Sequence, residues 1–245
     1  SLVGSEMCIR DRIAQNAAHY AVQKPDEVTD LVDFKQPEIS DTDLKAPIYI
    51  DFGPTSLSAT PWNNITSHQE SSTTSWIKDV ENNYTNIGVR VLDGFTATHA
   101  GVGSEPASPV TVDGVEFPLT AWKDGLLVKG EKNQGDVGPG RIEISQLDVA
   151  RKYNFTILAI RFNGSKDARI SSYKLVGKTE SAVKEVKTGI KDAASFAAAN
   201  FEEYIAKFEN VEPDSEGKVI VEVKGLDTGS AAEGHINALC ISLAK

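Results

Sequence analysis

From Pro47 to the C-terminus, apolar and polar residues alternate with a period of two, in short runs closed by Gly, Asp or Asn. That period puts successive side chains on opposite faces of an extended strand; a helix needs apolar positions three and four apart. The first run, Pro47-Ile48-Tyr49-Ile50-Asp51-Phe52-Gly53, has strong β propensity and stops at Gly53-Pro54. Residues 86–92 (NIGVRVL) set Val89 and Val91 against Arg90, and residues 110–117 (VTVDGVEF) contain Asp113-Gly114, which fits a tight hairpin turn. Further strands are predicted at 125–130, 141–147, 169–176, 182–190, 218–223 and 235–243. The longest, 152–162 (KYNFTILAIRF), sends Tyr153, Phe155, Ile157, Ala159 and Arg161 one way and Thr156, Leu158 and Ile160 the other. Strands without intervening long helices predict an all-β fold, an antiparallel β-sandwich or jelly roll over 47–245. Ile48, Ile50, Phe155, Ile157, Val219, Val221, Leu239 and Ile241 are its expected core. One stretch, 192–208 (DAASFAAANFEEYIAKF), also carries helical spacing through Ala197, Phe201, Ile205 and Phe208. It reads as a short helical loop to about Asn200, then a strand.

The N-terminal part follows other rules. Residues 13–30 begin as a helix, with Ile13, Ala17, Ala18, Ala21 and Val22 on one face, and Pro25 ends it. An isolated helix of about three turns is marginal in water, so it is expected to pack on an upstream domain. Residues 31–46 are acidic and bear Pro37, and read as a linker. Residues 1–12 (SLVGSEMCIRDR) have no sustained period. They resemble one reading frame of a sequencing-library adapter and are set aside from the fold. They hold the chain's one methionine, Met7, and one of its two cysteines, Cys8, so the native frame is expected to begin upstream.

The net charge of −10 belongs to the remainder, because Glu6 and Asp11 balance Arg10 and Arg12 in that segment. An acidic chain without a Lys/Arg cluster repels phosphate backbones, so no nucleic-acid function is expected. No apolar run approaches the roughly eighteen residues of a membrane span. Cys240 alone cannot form an intrachain disulfide or a cysteine-based zinc site.

The four histidines, His19, His68, His99 and His235, fall in no His-Glu-x-x-His motif, and no Gly-x-Ser-x-Gly elbow is present. His68 and His99 lie in polar, loop-like stretches. No catalytic set is expected. Sugar sites combine an aromatic platform with amide, acid or arginine hydrogen-bonding groups. Trp62-Asn63-Asn64, Trp76 and Trp122 are the aromatic candidates, and Arg161 and Arg169, flanking Asn163-Gly164-Ser165, could reach a ligand. Against this, Trp62 could plug an end of the sandwich, Asn63 and Asn64 could hold turns, and Trp122 could sit at a core edge. Asp51 is either a structural carboxylate paired with Arg161 or a ligand to a structural calcium ion. Asn-x-Ser/Thr sequences at Asn64, Asn83, Asn154 and Asn163 read as chance matches, since Asn154 falls inside a core strand.

The order IYIDFGP, PWNNIT, KYNFTILAIRFNG, NVEPDSEGKVIVEV and HINALCISL resembles the galactose-binding-like β-sandwich modules of glycan-active secreted proteins from Bacteroidetes. Separately, IAQNAAHYAVQKPDEVTDL resembles the last helix of an SGNH (GDSL-type) hydrolase domain. These resemblances imply a non-catalytic carbohydrate-binding-like module of a longer secreted, periplasmic or cell-surface glycan-processing hydrolase. They imply a neutral glycan and an upstream catalytic domain as partners; the side-chain chemistry above makes Trp62, Asn63, Asn64, Trp122, Arg161 and Arg169 the candidate binding residues. The alternative is a scaffold domain that packs on its own catalytic partner and binds no sugar.

Overall fold

The computed structural model of the chain describes residues 44–130, 139–162, 169–226 and 232–245, all within the unit Ile39–Lys245. The segment 1–12, the helix expected over 13–30, most of the linker and the Asn163-Gly164-Ser165 tip lie outside the described residues.

In chain order the strands are β1 Ile48–Phe52, β2 Trp62–Ile65, β3 Thr73–Thr74, β4 Gly88–Asp93, β5 Ala97–His99, β6 Val110–Val112, β7 Val115–Phe117, β8 Gly125–Gly130 and β9 Gly140–Ser145. There follow β10 Tyr153–Leu158, β11 Arg161–Phe162, β12 Ile170–Val176, β13 Lys184–Lys187, β14 Gly189–Ile190, β15 Ile205–Val211, β16 Val219–Gly225, β17 Ala232–Ile236 and β18 Ala238–Leu243. Two short helices, α1 Leu119–Trp122 and α2 Ala193–Ala197, and a 3-10 turn, Phe201–Tyr204, complete the described elements.

A five-stranded sheet, β15-β10-β18-β1-β2, faces a six-stranded one, β13-β12-β16-β9-β4-β3, and a smaller sheet, β17-β8-β5, adjoins them. The fold is an all-β sandwich. Alternation decides its core: Ile48 and Ile50 of β1, Phe155 and Ile157 of β10, and Leu239 and Ile241 of β18 meet Val219 and Val221 of β16, all fully buried. Leu44, ahead of the first strand, joins the same core. Two pairs among the described residues depart from the antiparallel expectation: β2 runs parallel to β1, with Tyr49 opposite Trp62 and Asp51 opposite Asn64, and β14 runs parallel to β11.

The outer face of the five-stranded sheet is also partly covered. Hairpin β6–β7, α1, α2 and the 3-10 turn lay Val110, Phe117, Trp122 and Phe196 over Leu158, Ala238 and Cys240, forming a second core. The hairpin turns at Asp113-Gly114 with φ of 53° and 74°. Such a two-residue turn takes positive φ at both central positions, which Asp-Gly tolerates. In 192–208, Asp192 caps α2 by accepting from Ser195 N, and strand pairing resumes at Ile205. The expected helical loop followed by a strand is what forms.

Candidate functional site

The register of the five-stranded sheet arranges its outer-face side chains in rows. Lys207 of β15, Thr156 of β10, Cys240 of β18, Tyr49 of β1 and Trp62 of β2 are successive cross-strand neighbours. The row nearer the caps (Leu158, Ala238, Asp51) is buried beneath them. The row farther out, Asn154 opposite Ser242, is uncovered by the second core. Between cap and open face lies a trough of about 380 Å³, lined by the β6–β7 turn together with Tyr49, Asn154, Thr156, Cys240 and Ser242. That volume lies within the ~300–1,000 Å³ of small-molecule sites.

The polar groups here are largely unused by the fold. Thr156 Oγ1, Ser242 Oγ and the Tyr49 hydroxyl have no hydrogen-bond partner among the described residues. Asn154 Oδ1 accepts from Asn210 N at 3.0 Å, which leaves its NH₂ as a donor. Burial, and then the neighbouring Cys240 thiol, raises the Tyr49 phenol above its ordinary value, so it stays a neutral donor. Burial likewise keeps the Cys240 thiol protonated. At the far wall Lys207 Nζ meets Asp113 Oδ2 at 2.5 Å and Glu202 Oε2 at 2.8 Å, fastening the hairpin turn to the sheet edge. An aromatic ring beside neutral hydroxyl and amide groups suits the mixed C–H and O–H surface of a sugar.

The residues expected from sequence are distributed otherwise. Trp122 is fully buried, its ring 4.9 Å from Phe196 and its Nε1 donating to Ser108 O, so it offers no face to a ligand. Trp62 is half-buried between Tyr49 and Phe117, at 5.0 and 5.6 Å, and backs the trough's aromatic wall. Asn63 donates to Tyr49 O and Lys78 O and accepts from Lys78 N; Asn64 donates to Ser58 O and accepts from Ser58 N. Both amides hold backbone. Trp76 is the exposed tryptophan, at φ 53° in a loop that also exposes Tyr84.

Arg161 and Arg169 converge with two histidines at another place. Arg161 Nη1 donates to Ala100 O and lies 3.2 Å from His99 Nδ1; Arg169 Nη2 pairs with Glu233 Oε2 at 3.2 Å. His99 and His235 meet edge to face at 5.0 Å. Burial chiefly lowers both histidines, and His99 far more than is usual, so they are neutral at pH 7. The contact with His235, helped by the charge of Arg169 and opposed by burial, holds the Glu233 carboxyl at about 2. His99, expected in a loop, thus belongs to a buried polar knot. Asn237, also in this knot, was not singled out by any motif.

Asp51 does not pair with Arg161. Its Oδ2 accepts from Ser58 N, while its Oδ1 and Asp124 Oδ1 are buried without a partner. Burial, followed by the Asp124 charge, pushes the Asp51 carboxyl up to about 7. Two orphaned carboxylate oxygens suit calcium in kind, and calcium takes 6–8 oxygens. Among the described residues no group of three or more His, Cys, Asp or Glu side chains gathers around an ion. Backbone, amide or hydroxyl oxygens would have to complete the shell.

No protein-family model matches the chain, and no curated protein matches it. Among solved structures, the YXIM protein of Bacillus subtilis is similar over 81% of this chain and 40% of its own, at 13% identity and a TM-score of 0.41. The ANX2 ectodomain of Arabidopsis thaliana is similar over 70% of this chain and 53% of its own, at 6% identity and a TM-score of 0.42. TmCBM61, solved with β-1,4-galactotriose, is similar over 61% of this chain and 90% of its own, at 12% identity and a TM-score of 0.31. The chain therefore spans about half or less of the first two. None of these likenesses carries a ligand or an activity to it.

Proposed function

We propose that residues 47–245 form a non-catalytic module that binds a neutral glycan in the trough on the outer face of the five-stranded sheet. The observation that carries this reading is the set of unengaged groups, the Thr156 and Ser242 hydroxyls and the Asn154 NH₂, beside the half-buried Tyr49 ring. In this reading the module serves a longer, secreted or surface-attached glycan-processing hydrolase, and an upstream catalytic domain is its covalent partner. The calcium at Asp51 belongs to the same proposal, with Asp51 Oδ1 and Asp124 Oδ1 as its carboxylate oxygens. The chain's net charge of −10 disfavours polyanionic glycans.

A shallow site with one ring and a few hydrogen bonds implies a Kd on the order of 0.1–1 mM, or about 4–5.5 kcal/mol. Calorimetry with a panel of neutral oligosaccharides tests it. Thr156→Val, Ser242→Ala and Tyr49→Phe each remove one hydroxyl with little change of shape and should weaken binding several-fold while the fold stands. Binding that survives all three yet disappears in Trp76→Ala would move the site to the 75–84 loop. Silence across the panel in a folded, calcium-loaded protein would favour a scaffold domain that packs on its catalytic partner.

A further inference from the structure

We infer that the trough takes a linear glycan end-on and over more than one sugar unit, rather than a single terminal sugar; this rests on the glycan reading above. A second cavity of about 560 Å³ adjoins the first and shares Pro47, Asn154, Glu209 and Ser242 with it. The two form one channel along β10 and β18. It leaves the Thr156–Cys240 row, passes the Asn154–Ser242 row and continues beside Leu243, Ala244 and Lys245. Cys240 and Ala244 are four residues apart, so the floor runs about 13 Å at ~3.3 Å per residue. That is more than one pyranose ring needs.

The two ends differ. At one end the channel stops where the Asp113-Gly114 turn stands over the sheet, braced by the Lys207–Asp113 ion pair, and the next row of side chains is buried beneath the cap. At the other end its walls are Leu44, Lys45 and residues 243–245, and no cap element is among its described lining residues. One end of a sugar chain would stop against the turn, with the following units lying over Asn154 and Ser242 and leaving past Ala244. The second cavity adds the Asn210 side chain, held at φ 57° on the neighbouring strand, as a further amide for those units.

The test is affinity against chain length, read by NMR on the whole chain with mono-, di-, tri- and tetrasaccharides of neutral β-1,4-linked galactose, glucose, xylose and mannose. In the series that binds, affinity should rise about tenfold from one unit to three and then level off. Ala244→Trp, which fills the outer cavity and leaves the Tyr49–Thr156 row untouched, should erase that rise while leaving the single sugar's affinity unchanged. Blocking one particular end of the trisaccharide as its methyl ether or glycoside should cost more than blocking the other. A monosaccharide that binds as tightly as its trimer would overturn the inference and leave the glycan reading in place. Equal affinity for both end-blocked trimers would overturn the end-on geometry. No binding by any series would sink both together.

Discussion

Replacing Asn237 by Ala removes one amide that serves three backbone groups. Its Nδ2 donates to Trp122 O at 2.9 Å and to Asp124 O at 2.7 Å, and its Oδ1 accepts from Ile160 N at 2.7 Å. Asn237, Ile160, Trp122 and Asp124 are all fully buried, so water cannot replace the lost partner. An orphaned buried N–H costs about 1–3 kcal/mol. Carbonyl oxygens tolerate under-satisfaction better, so the two together add about 1–2 kcal/mol. The void left by the amide adds about 1 kcal/mol more. The expected loss is about 3–6 kcal/mol, at the upper end of what single substitutions do. Equilibrium urea unfolding measures it, with an unchanged m value as the condition for comparison. Asn237→Asp is the companion variant: it keeps the shape and sets an acceptor against two carbonyl oxygens. It should destabilise at least as much at pH 7 and recover part of the loss in acid, where the carboxyl regains a proton. A loss under about 1 kcal/mol for the Ala variant, at unchanged m, would show that the Asn237 amide does not hold these three backbone groups.

Acid should loosen the histidine knot. His99 and His235 have folded pKa values below 6.5, so below that pH the folded chain holds fewer protons than the unfolded one, and their contribution is full above it and lost as pH falls. His99→Gln should therefore lose less Tm than wild type between pH 7 and 5; an equal or steeper fall contradicts this. Asp51 acts in the opposite sense: raised from 3.8 to about 7, it contributes stability that is full below about 3.8 and lost as pH rises through 7. Asp51→Asn should gain on wild type over that interval in chelator, and a constant offset would show the shift is not there. Calcium requires the ionised carboxylate, so the Tm increase on adding it should be larger at pH 8 than at pH 5 and absent in Asp51→Asn; no increase at either pH removes the proposed ion.

The sandwich was legible because its inner faces obey a local rule. Ile48, Ile50, Phe155, Ile157, Leu239 and Ile241 alternate with smaller or polar residues, and alternation reports directly on a half-buried strand. The same pattern in 152–162 divided Tyr153, Phe155, Ile157 and Ala159 from Leu158 and Ile160, and these do enter two different cores. It did not show that pairing with β18 ends at Leu158, because the cause lies 77 residues away, where Asn237 takes the Ile160 N–H. Between a ligand platform and a core edge for Trp122, the local sequence does not decide, and the structure gives the core. Its neighbours Lys123, Asp124 and Gly125 look like a solvated turn, yet α1 and α2 fold together over the ring. The trough was illegible altogether: Tyr49, Thr156 and Ser242 are unremarkable outward positions on three separated strands until register sets them side by side. Asn154 was singled out for its Asn-x-Thr sequence, a signal unrelated to its place in the trough.

Amide chemical-shift mapping locates the ligand on the sandwich. With the protein labelled and the binding oligosaccharide titrated to saturation, shifts should concentrate at Tyr49, Asn154, Thr156, Asn210 and Ser242, with the Trp122 and Asn237 amides unmoved. Shifts gathered instead around Trp76 and Tyr84, or around Arg161 and Arg169, would contradict binding in the trough.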